Sequence, residues 1–249
     1  MPSKNTKTET IQGLIHRVNR LERMRQDFVA NVSHELRTPL TVIHGYLEIL
    51  LNEDLANLPE PKKILTQIYQ QSLRMERLVE DLLLLSRLDS ALLENEKLQK
   101  IPVPHLLHGL AKDAQMLSGD RQHAIKLNID ENLEIYGVES ELRSIFSNLI
   151  FNAVHYTPAQ GSIEIKWYRV KNLAYFSVVD SGIGIAAEHI PRLTERFYRV
   201  AEDRSRQTGG TGLGLAIVKH ALMRHKGQLN ITSEVGKGSE FCCTFPLAL

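Results

Sequence analysis

Apolar residues recur at Ile11, Leu14, Val18 and Leu21, then at Phe28, Val32, Leu36 and Leu40, then at Ile43, Leu47 and Leu50. Steps of three and four residues sustained over this stretch specify one long amphipathic helix, because 3.6 residues per turn return these side chains to one face. Such a stripe needs a partner. The early steps alternate three and four, the seam of a coiled coil. From Phe28 to Leu40 they become four, four, four, a stutter that locally unwinds a coil. Pro39 removes a backbone donor at the same place, so a bend is expected there. Asn57 to Pro61 carries two prolines and ends the pattern. A second stripe follows at Ile64, Ile68, Met75, Leu78, Leu82 and Leu85. Two such helices with a short connection make an antiparallel hairpin. An intramolecular bundle is the bland way to bury both stripes, but no other helix of that length is encoded nearby. Two hairpins paired as a four-helix bundle, a homodimer, are expected instead.

Residues Glu94 to Pro104 are charged and then carry Pro102 and Pro104, and the domain boundary is placed there. Beyond it, helix and strand patterns mix. Val103 to Leu117 reads as helix; Ile125 to Ile129 and Glu134 to Tyr136 read as strands. Ser140 to Tyr156 reads as a helix with Ser140 as its N-cap. Ser162 to Arg169 alternates with Ile163, Ile165 and Trp167 on one face, and Leu173 to Asp180 alternates with Phe176 and Val178 inward. Thr211 to His225 reads as helix. Gln228 to Glu234 and Glu240 to Leu247 read as strands joined by a turn at Gly236 to Gly238. The pattern is a sheet covered by helices, an α+β sandwich.

The 249 residues suffice for one large or two modest domains, and a net charge of +1 speaks against a nucleic-acid surface. The two cysteines, Cys242 and Cys243, are adjacent, so on a strand they point to opposite faces; a disulfide between them or a cysteine metal site is not expected, and a reducing compartment is. The longest purely apolar run, Leu82 to Leu85, is far short of the roughly 18 residues of a membrane span. The chain as given is expected to be soluble and cytoplasmic.

Four constellations carry chemistry. His34 lies two residues from both Val32 and Leu36, opposite the stripe, and Thr38 shares its outward face one turn on. An exposed imidazole is a nucleophile when one nitrogen is free. Glu35 can accept its proton, and Thr38 offers a hydroxyl that can hold a water. The bland reading is a surface histidine near a helix kink; the clustering of His34, Glu35, Arg37, Thr38 and Pro39 at a stutter weighs against it. Asn148, Asn152 and His155 line a second stripe, beside the apolar Leu142, Ile145, Leu149 and Ala153. Amide oxygens beside an imidazole suit hydrated Mg²⁺ and phosphates, although a polar solvent face accounts for the stripe equally well. Asp180, at the inner end of a strand, needs a partner, and the exocyclic amine of adenine is one. Gly182 and Gly184 let the backbone approach a ligand, or simply end the strand. Finally, Gly209 to Leu215 leads glycines into a helix N-terminus, an anion site. Between the two glycine elements Arg192, Arg196, Arg199, Arg204 and Arg206 surround Phe197 and Tyr198. This reads as a lid or as an exposed charged loop.

The order of these elements resembles the catalytic core of bacterial two-component sensor histidine kinases. Phe28–Pro39 resembles the phosphoacceptor box, Asn148–Tyr156 the Asn box, Asp180–Ile185 the first Gly box, Arg196–Arg199 the lid box, Gly210–Leu215 the second Gly box, and Gly236–Ser239 the closing Gly turn. The run VSHELRTPLT, with RLTERFYRV and RSRQTGGTGLGLAIVKH, is most similar to the phosphate-regulon sensor kinases. The resemblance implies a dimeric helical hairpin followed by a Bergerat-type (GHKL) α/β sandwich. Residues 1–20 would be a linker or signalling helix, 21–93 the dimerisation and phosphotransfer domain, 94–104 a linker and 105–249 the ATP-binding domain. By position, His34 would take the γ-phosphoryl group of ATP, Glu35 would be the base, and Thr38 would place water in dephosphorylating a partner; Arg37 belongs to the same catalytic box. Asn152 would ligate Mg²⁺ with Asn148 in support. Asp180 would read adenine, helped by Gly182, Gly184 and Ser239. His155, Tyr156, Arg196 and the segment Gly210, Thr211, Gly212, Leu213, Gly214 and Leu215 would hold phosphates. Many members carry Lys at the place of His155, so Arg196 takes a larger share here. The implied partners are a second copy, a response regulator receiver domain (PhoB-like on the narrower resemblance) and an upstream sensor or membrane module, which makes the chain the cytoplasmic portion of an inner-membrane protein. Another two-component pathway, a non-catalytic dimeric scaffold, or an ATPase of the same nucleotide-binding superfamily are the alternatives.

Overall fold

The computed structural model describes residues 4–52, 60–89, 98–200 and 210–247. The chain forms two compact units, Met1–Val79 and Glu80–Leu249. The first is built from α1 (Lys4–Asn52) and most of α2 (Pro61–Asp89). α1 runs unbroken through Pro39, and Pro61 opens α2 where a missing N–H costs nothing. Of the predicted break at Asn57 to Pro61, residues 57–59 lie outside the described residues. The stutter acts in a way the stripe did not anticipate. Each four-residue step overshoots a helical turn by about 40°, so by Leu40 the Phe28 line has swung round. Leu40 is 55% exposed, and the neighbouring Pro39 is the buried residue. Val29, Leu40, Leu47, Ile49 and Leu51 on α1, with Leu65, Tyr69, Val79 and Leu83 on α2, remain exposed in the single chain.

The second unit is a two-layer sandwich. Its elements are β1 (Gln99–Ile101), α3 (Val103–Ser118), β2 (Ala124–Ile129), β3 (Ile135–Gly137), α4 (Glu139–Tyr156), β4 (Ser162–Val170), β5 (Leu173–Asp180), α5 (Gly214–Arg224), β6 (Gln228–Glu234) and β7 (Gly238–Pro246). The main sheet has the order β2-β4-β5-β7-β6; β2 runs parallel to β4 and the other pairs are antiparallel. β1 pairs with β3, so Gln99–Ile101, inside the interval expected to be a linker, is a strand, and the prolines that follow open α3. Alternation delivers the inner face as predicted: Ile163, Ile165, Trp167, Phe176 and Val178 are fully buried. α4 packs between α3 and α5 and presents Phe146 to the sheet. The Phe146 ring lies 4.5 Å from Phe176 and 6.1 Å from both Trp167 and Phe245. The indole N–H of Trp167 is satisfied by the Leu133 carbonyl at 3.0 Å, as a buried donor requires. Cys243 is buried in this face while Cys242 is turned the other way, and both are free thiols.

Two helix starts in the second unit differ from the sequence reading. α4 starts at Glu139, with Val138 rather than Ser140 at the N-cap and no side-chain cap. A distant ring does part of the capping: His225 Nε2 accepts the Val138 N–H at 3.1 Å, while its Nδ1–H donates to the Ala221 carbonyl at 2.8 Å. The buried Glu141 carboxylate beside it accepts Arg224 Nε at 3.0 and 3.2 Å. α5 starts at Gly214, not Thr211. Thr211 instead folds its hydroxyl back onto the Leu213 N–H at 3.2 Å, a local turn that competes with helix.

Candidate functional site

In the first unit, His34 and Thr38 are both exposed on α1, as their offset from the apolar stripe predicts. The Thr38 hydroxyl donates to the His34 carbonyl at 3.2 Å. Its proton is therefore committed, and its oxygen faces outward as an acceptor. One residue on, Pro39 has no N–H to give the Glu35 carbonyl, so the helix ladder lacks one rung beside His34. Glu35 is drawn inward: Arg74 of α2, itself mostly covered, donates to its carboxylate at 3.0 Å. Arg74 was missed from sequence because the pairing spans 39 positions; the one signal was its place in the second stripe's helix, next to Met75. Arg37 is exposed, and its carbonyl accepts the Thr41 hydroxyl at 2.9 Å.

The other predicted residues lie in the second unit, around the ends of α4 and α5 and the loop after β5. Asn148 is anchored by its own helix, its amide N–H₂ donating to the Ser144 carbonyl at 2.9 Å. Its amide oxygen is turned to the start of α5, where a side chain on Gly214 would come within 2.3 Å of it. Glycine at 214 lets the Asn148 amide approach this closely without moving, which joins the Asn stripe to the second Gly element. Asn152 is half-buried on the same helix, and among the described residues its carboxamide has no protein hydrogen-bond partner. An uncommitted amide oxygen on a helix face fits a hydrated divalent ion. The end of α4 is stitched to the loop after β5 by the Ile183 N–H on the Tyr156 carbonyl at 3.2 Å.

Asp180 ends β5 and is 7% exposed. Its Oδ1 accepts the Gly182 N–H at 2.8 Å. Burial pushes the carboxyl above its usual range, and the backbone N–H groups of Gly182 and Ser239 oppose that shift. Gly184 has φ +68°, and any side chain there would meet the Glu234 carbonyl oxygen at 2.0 Å; only glycine allows the loop to lie against the end of β6. Ser239 is buried opposite Asp180 in the β5–β7 ladder.

The lid residues are partly described. Phe197 has φ +63° and its N–H donates to the Gly212 carbonyl at 2.8 Å, clamping the start of the lid onto the Gly segment. Tyr198 lies under Arg192 at 4.2 Å and is 2.7 Å from His189 Nδ1. Arg204, Arg206 and Gly209 lie outside the described residues. Two carboxylates near the end of α2, in the same unit, reach residues expected to handle phosphate: Asp89 accepts Arg196 at 2.5 Å, and Asp81 accepts the Thr211 hydroxyl at 2.8 Å. Asp89 is also 3.0 Å from His220, whose pKa burial depresses against that carboxylate's pull. His155 is half-buried, Tyr156 and Gly210 are exposed, and Leu213 is buried as the anchor of the Gly segment. The predicted nucleotide residues thus gather in one unit and the histidine cluster in the other.

Comparison with known proteins identifies two domains in the chain. Residues 24–91 match the His Kinase A (phospho-acceptor) domain, and residues 137–249 match the histidine kinase-, DNA gyrase B- and HSP90-like ATPase. The phosphate regulon sensor protein PhoR of Pseudomonas aeruginosa is 52% identical over 93% of this chain, which covers 52% of that protein. PhoR of Haemophilus influenzae is 43% identical over 95% of this chain and 54% of that protein. The crystal structure of full-length ShkA in complex with AMPPNP matches 88% of this chain and 45% of that one, with a TM-score of 0.65 at 29% identity. The chain spans about half the length of the curated relatives it matches. Among the described residues no helix is long and apolar enough to cross a membrane. A phosphoacceptor hairpin followed by this ATPase sandwich, both similar in sequence to PhoR, places the chain in the sensor histidine kinase family as its catalytic core.

Proposed function

We propose that this chain is an ATP-dependent protein-histidine kinase core that phosphorylates its own His34 and passes the group to an aspartate of a response regulator. The observation that carries the reading is the exposed His34 imidazole, next in the chain to Glu35, whose carboxylate Arg74 holds in place. A nitrogen of His34 attacks the γ-phosphorus of ATP; the N–P bond forms as the bond to the ADP oxygen breaks, and Glu35 takes the ring N–H proton. In transfer, the N–P bond breaks as an aspartate oxygen of the regulator takes the phosphoryl group.

Asp180 reads the adenine amine, supported by Gly182, Gly184 and Ser239. The amides from Gly210 to Leu215 lead into the N-terminus of α5 and hold phosphate. Tyr156, His155 and Arg196 add to that hold, Arg196 by exchanging Asp89 for phosphate. Asn152 and Asn148 suit Mg²⁺, which when bound neutralises phosphate charge. The hairpin, within 21–93, serves as the dimerisation and phosphotransfer domain. Its exposed apolar residues support a second copy as their cover, since a patch of that kind on a lone hairpin would be left in water. Residues 105–249 serve as the ATP-binding domain and 1–20 as the input helix. Thr38, with its oxygen free to accept from a water, supports a regulator phosphatase activity. Similarity to PhoR supports phosphate-starvation signalling through a PhoB-like regulator, and a membrane-anchored full-length protein.

The test is labelling with γ-labelled ATP. Wild type should acquire acid-labile, base-stable phosphate and His34→Gln none. Equal labelling of the two would refute the assignment, and release of free phosphate without protein labelling would favour an ATPase instead.

A further inference from the structure

One hydroxyl joins the loop after β5 to the β6–β7 turn, two segments distant in sequence. Ser233, next to last in β6, accepts the Ile185 N–H at 2.8 Å and donates to the Gly238 carbonyl at 2.9 Å. It also lies 2.9 Å from the Ser239 hydroxyl. A serine has one proton and two lone pairs. With the proton on Gly238, Ser239 must be the donor between the two hydroxyls. Ser233 is then saturated, and the orientation of Ser239 is set by it.

The segments so joined are those that hold Asp180. Ile185 ends the loop whose Gly182 N–H reaches the carboxylate at 2.8 Å, and Ser239 faces Asp180 across the β5–β7 ladder, where its backbone N–H opposes the rise in the carboxyl's pKa. The β6–β7 ladder pairs Ser233 with Ser239 and continues through Ile231 with Phe241 independently of the hydroxyl. Removing the hydroxyl therefore leaves the strands paired and the loop still tied at Ile183, through the Tyr156 carbonyl and the Gly236 N–H, and releases only the Ile185 N–H, the Gly238 carbonyl and the Ser239 hydroxyl.

We propose that Ser233 is a positioning residue for base recognition: its hydroxyl fixes the spacing of the two backbone arms that aim the Asp180 carboxylate at the adenine amine. The proposal rests on the assignment of Asp180 as the adenine reader. It predicts a loss confined to the amine, not to the ring or the phosphates.

The experiment measures binding of ATP and of purine riboside triphosphate, which lacks the exocyclic amine, to the full chain by isothermal titration calorimetry. Wild type should prefer ATP. Ser233→Ala should weaken ATP about fivefold to tenfold, the cost of one unmet buried donor, and leave purine riboside triphosphate within about twofold. Ser233→Thr should restore the preference. Ser233→Cys, closer in size and a weaker hydrogen-bonding group, should narrow the preference in the same direction by a smaller factor, whether or not the alanine variant folds well. Equal weakening of both nucleotides, or an unchanged preference in Ser233→Ala and Ser233→Cys, overturns the proposal. A wild type that binds both nucleotides equally overturns the Asp180 assignment, and the role of Ser233 with it.

Discussion

Replacing Asp180 by asparagine should move stability and nucleotide affinity in opposite directions. The carboxylate is 7% exposed, and burial raises its pKa against two backbone donors that lower it. Between the unfolded pKa, near 3.8, and the raised folded value, the folded chain binds more protons than the unfolded one. Stability from this group is therefore fully present below the unfolded pKa and is lost as pH rises through the folded one. At neutral pH the charge is a net cost to the empty fold. Asparagine removes that cost and keeps an oxygen for the Gly182 N–H. Under the proposed role of Asp180 it gives up a charge-assisted bond to the adenine amine, worth about 1.5–3 kcal/mol, or roughly tenfold to a hundredfold in affinity. The expected result is ATP binding weakened by that factor while the nucleotide-free Tm at pH 7 is raised. The Tm advantage of the variant should shrink as pH falls toward the carboxylate range. Calorimetric titration with ATP and thermal unfolding from pH 4 to pH 8 provide the check. Parallel loss of affinity and Tm would mean that Asp180 is structural, and unchanged ATP affinity would mean that the base is read elsewhere; either refutes the reasoning.

Arg74→Met keeps the bulk of the side chain but releases Glu35; initial labelling of His34 should fall several-fold, about 1 kcal/mol for a partly covered ion pair, with the KM for ATP unchanged, and an altered KM with normal turnover would contradict the assignment. Thr38→Ala should retain autophosphorylation and lose regulator dephosphorylation, measured by release of phosphate from a phosphorylated receiver domain; equal loss of both activities would end the division of labour. Gly184→Ala places a carbon 2.0 Å from the Glu234 carbonyl oxygen at a backbone φ of +68°, so the Tm should drop by several degrees, at least the roughly 1–2 kcal/mol of left-handed strain; a Tm within a degree of wild type would show that the loop is not held against β6.

The reactive inventory is local in the chain, and for that reason it is legible in the amino-acid sequence alone. His34, Glu35 and Thr38 lie within one turn and a half of helix; Asn148 and Asn152 are one turn apart; Asp180, Gly182 and Gly184 fall within one turn. Periodicity of 3.6 and of 2 also suffices for the two stripes and for the inner face of β4 and β5, because side-chain direction repeats with the backbone. Tertiary structure decides what each reactive group leans on. Arg74 is 39 residues from Glu35, Ser233 is 48 from Ile185 and His225 is 87 from Val138. No local pattern encodes such pairs, since a hydrogen bond needs only proximity and direction, which are set when sheet and helices pack. The cap of α4 shows the difference most plainly: the sequence points to Ser140, the nearest hydroxyl, whereas the packed structure starts the helix one residue earlier and gives the Val138 N–H to a histidine ring from the far end of α5.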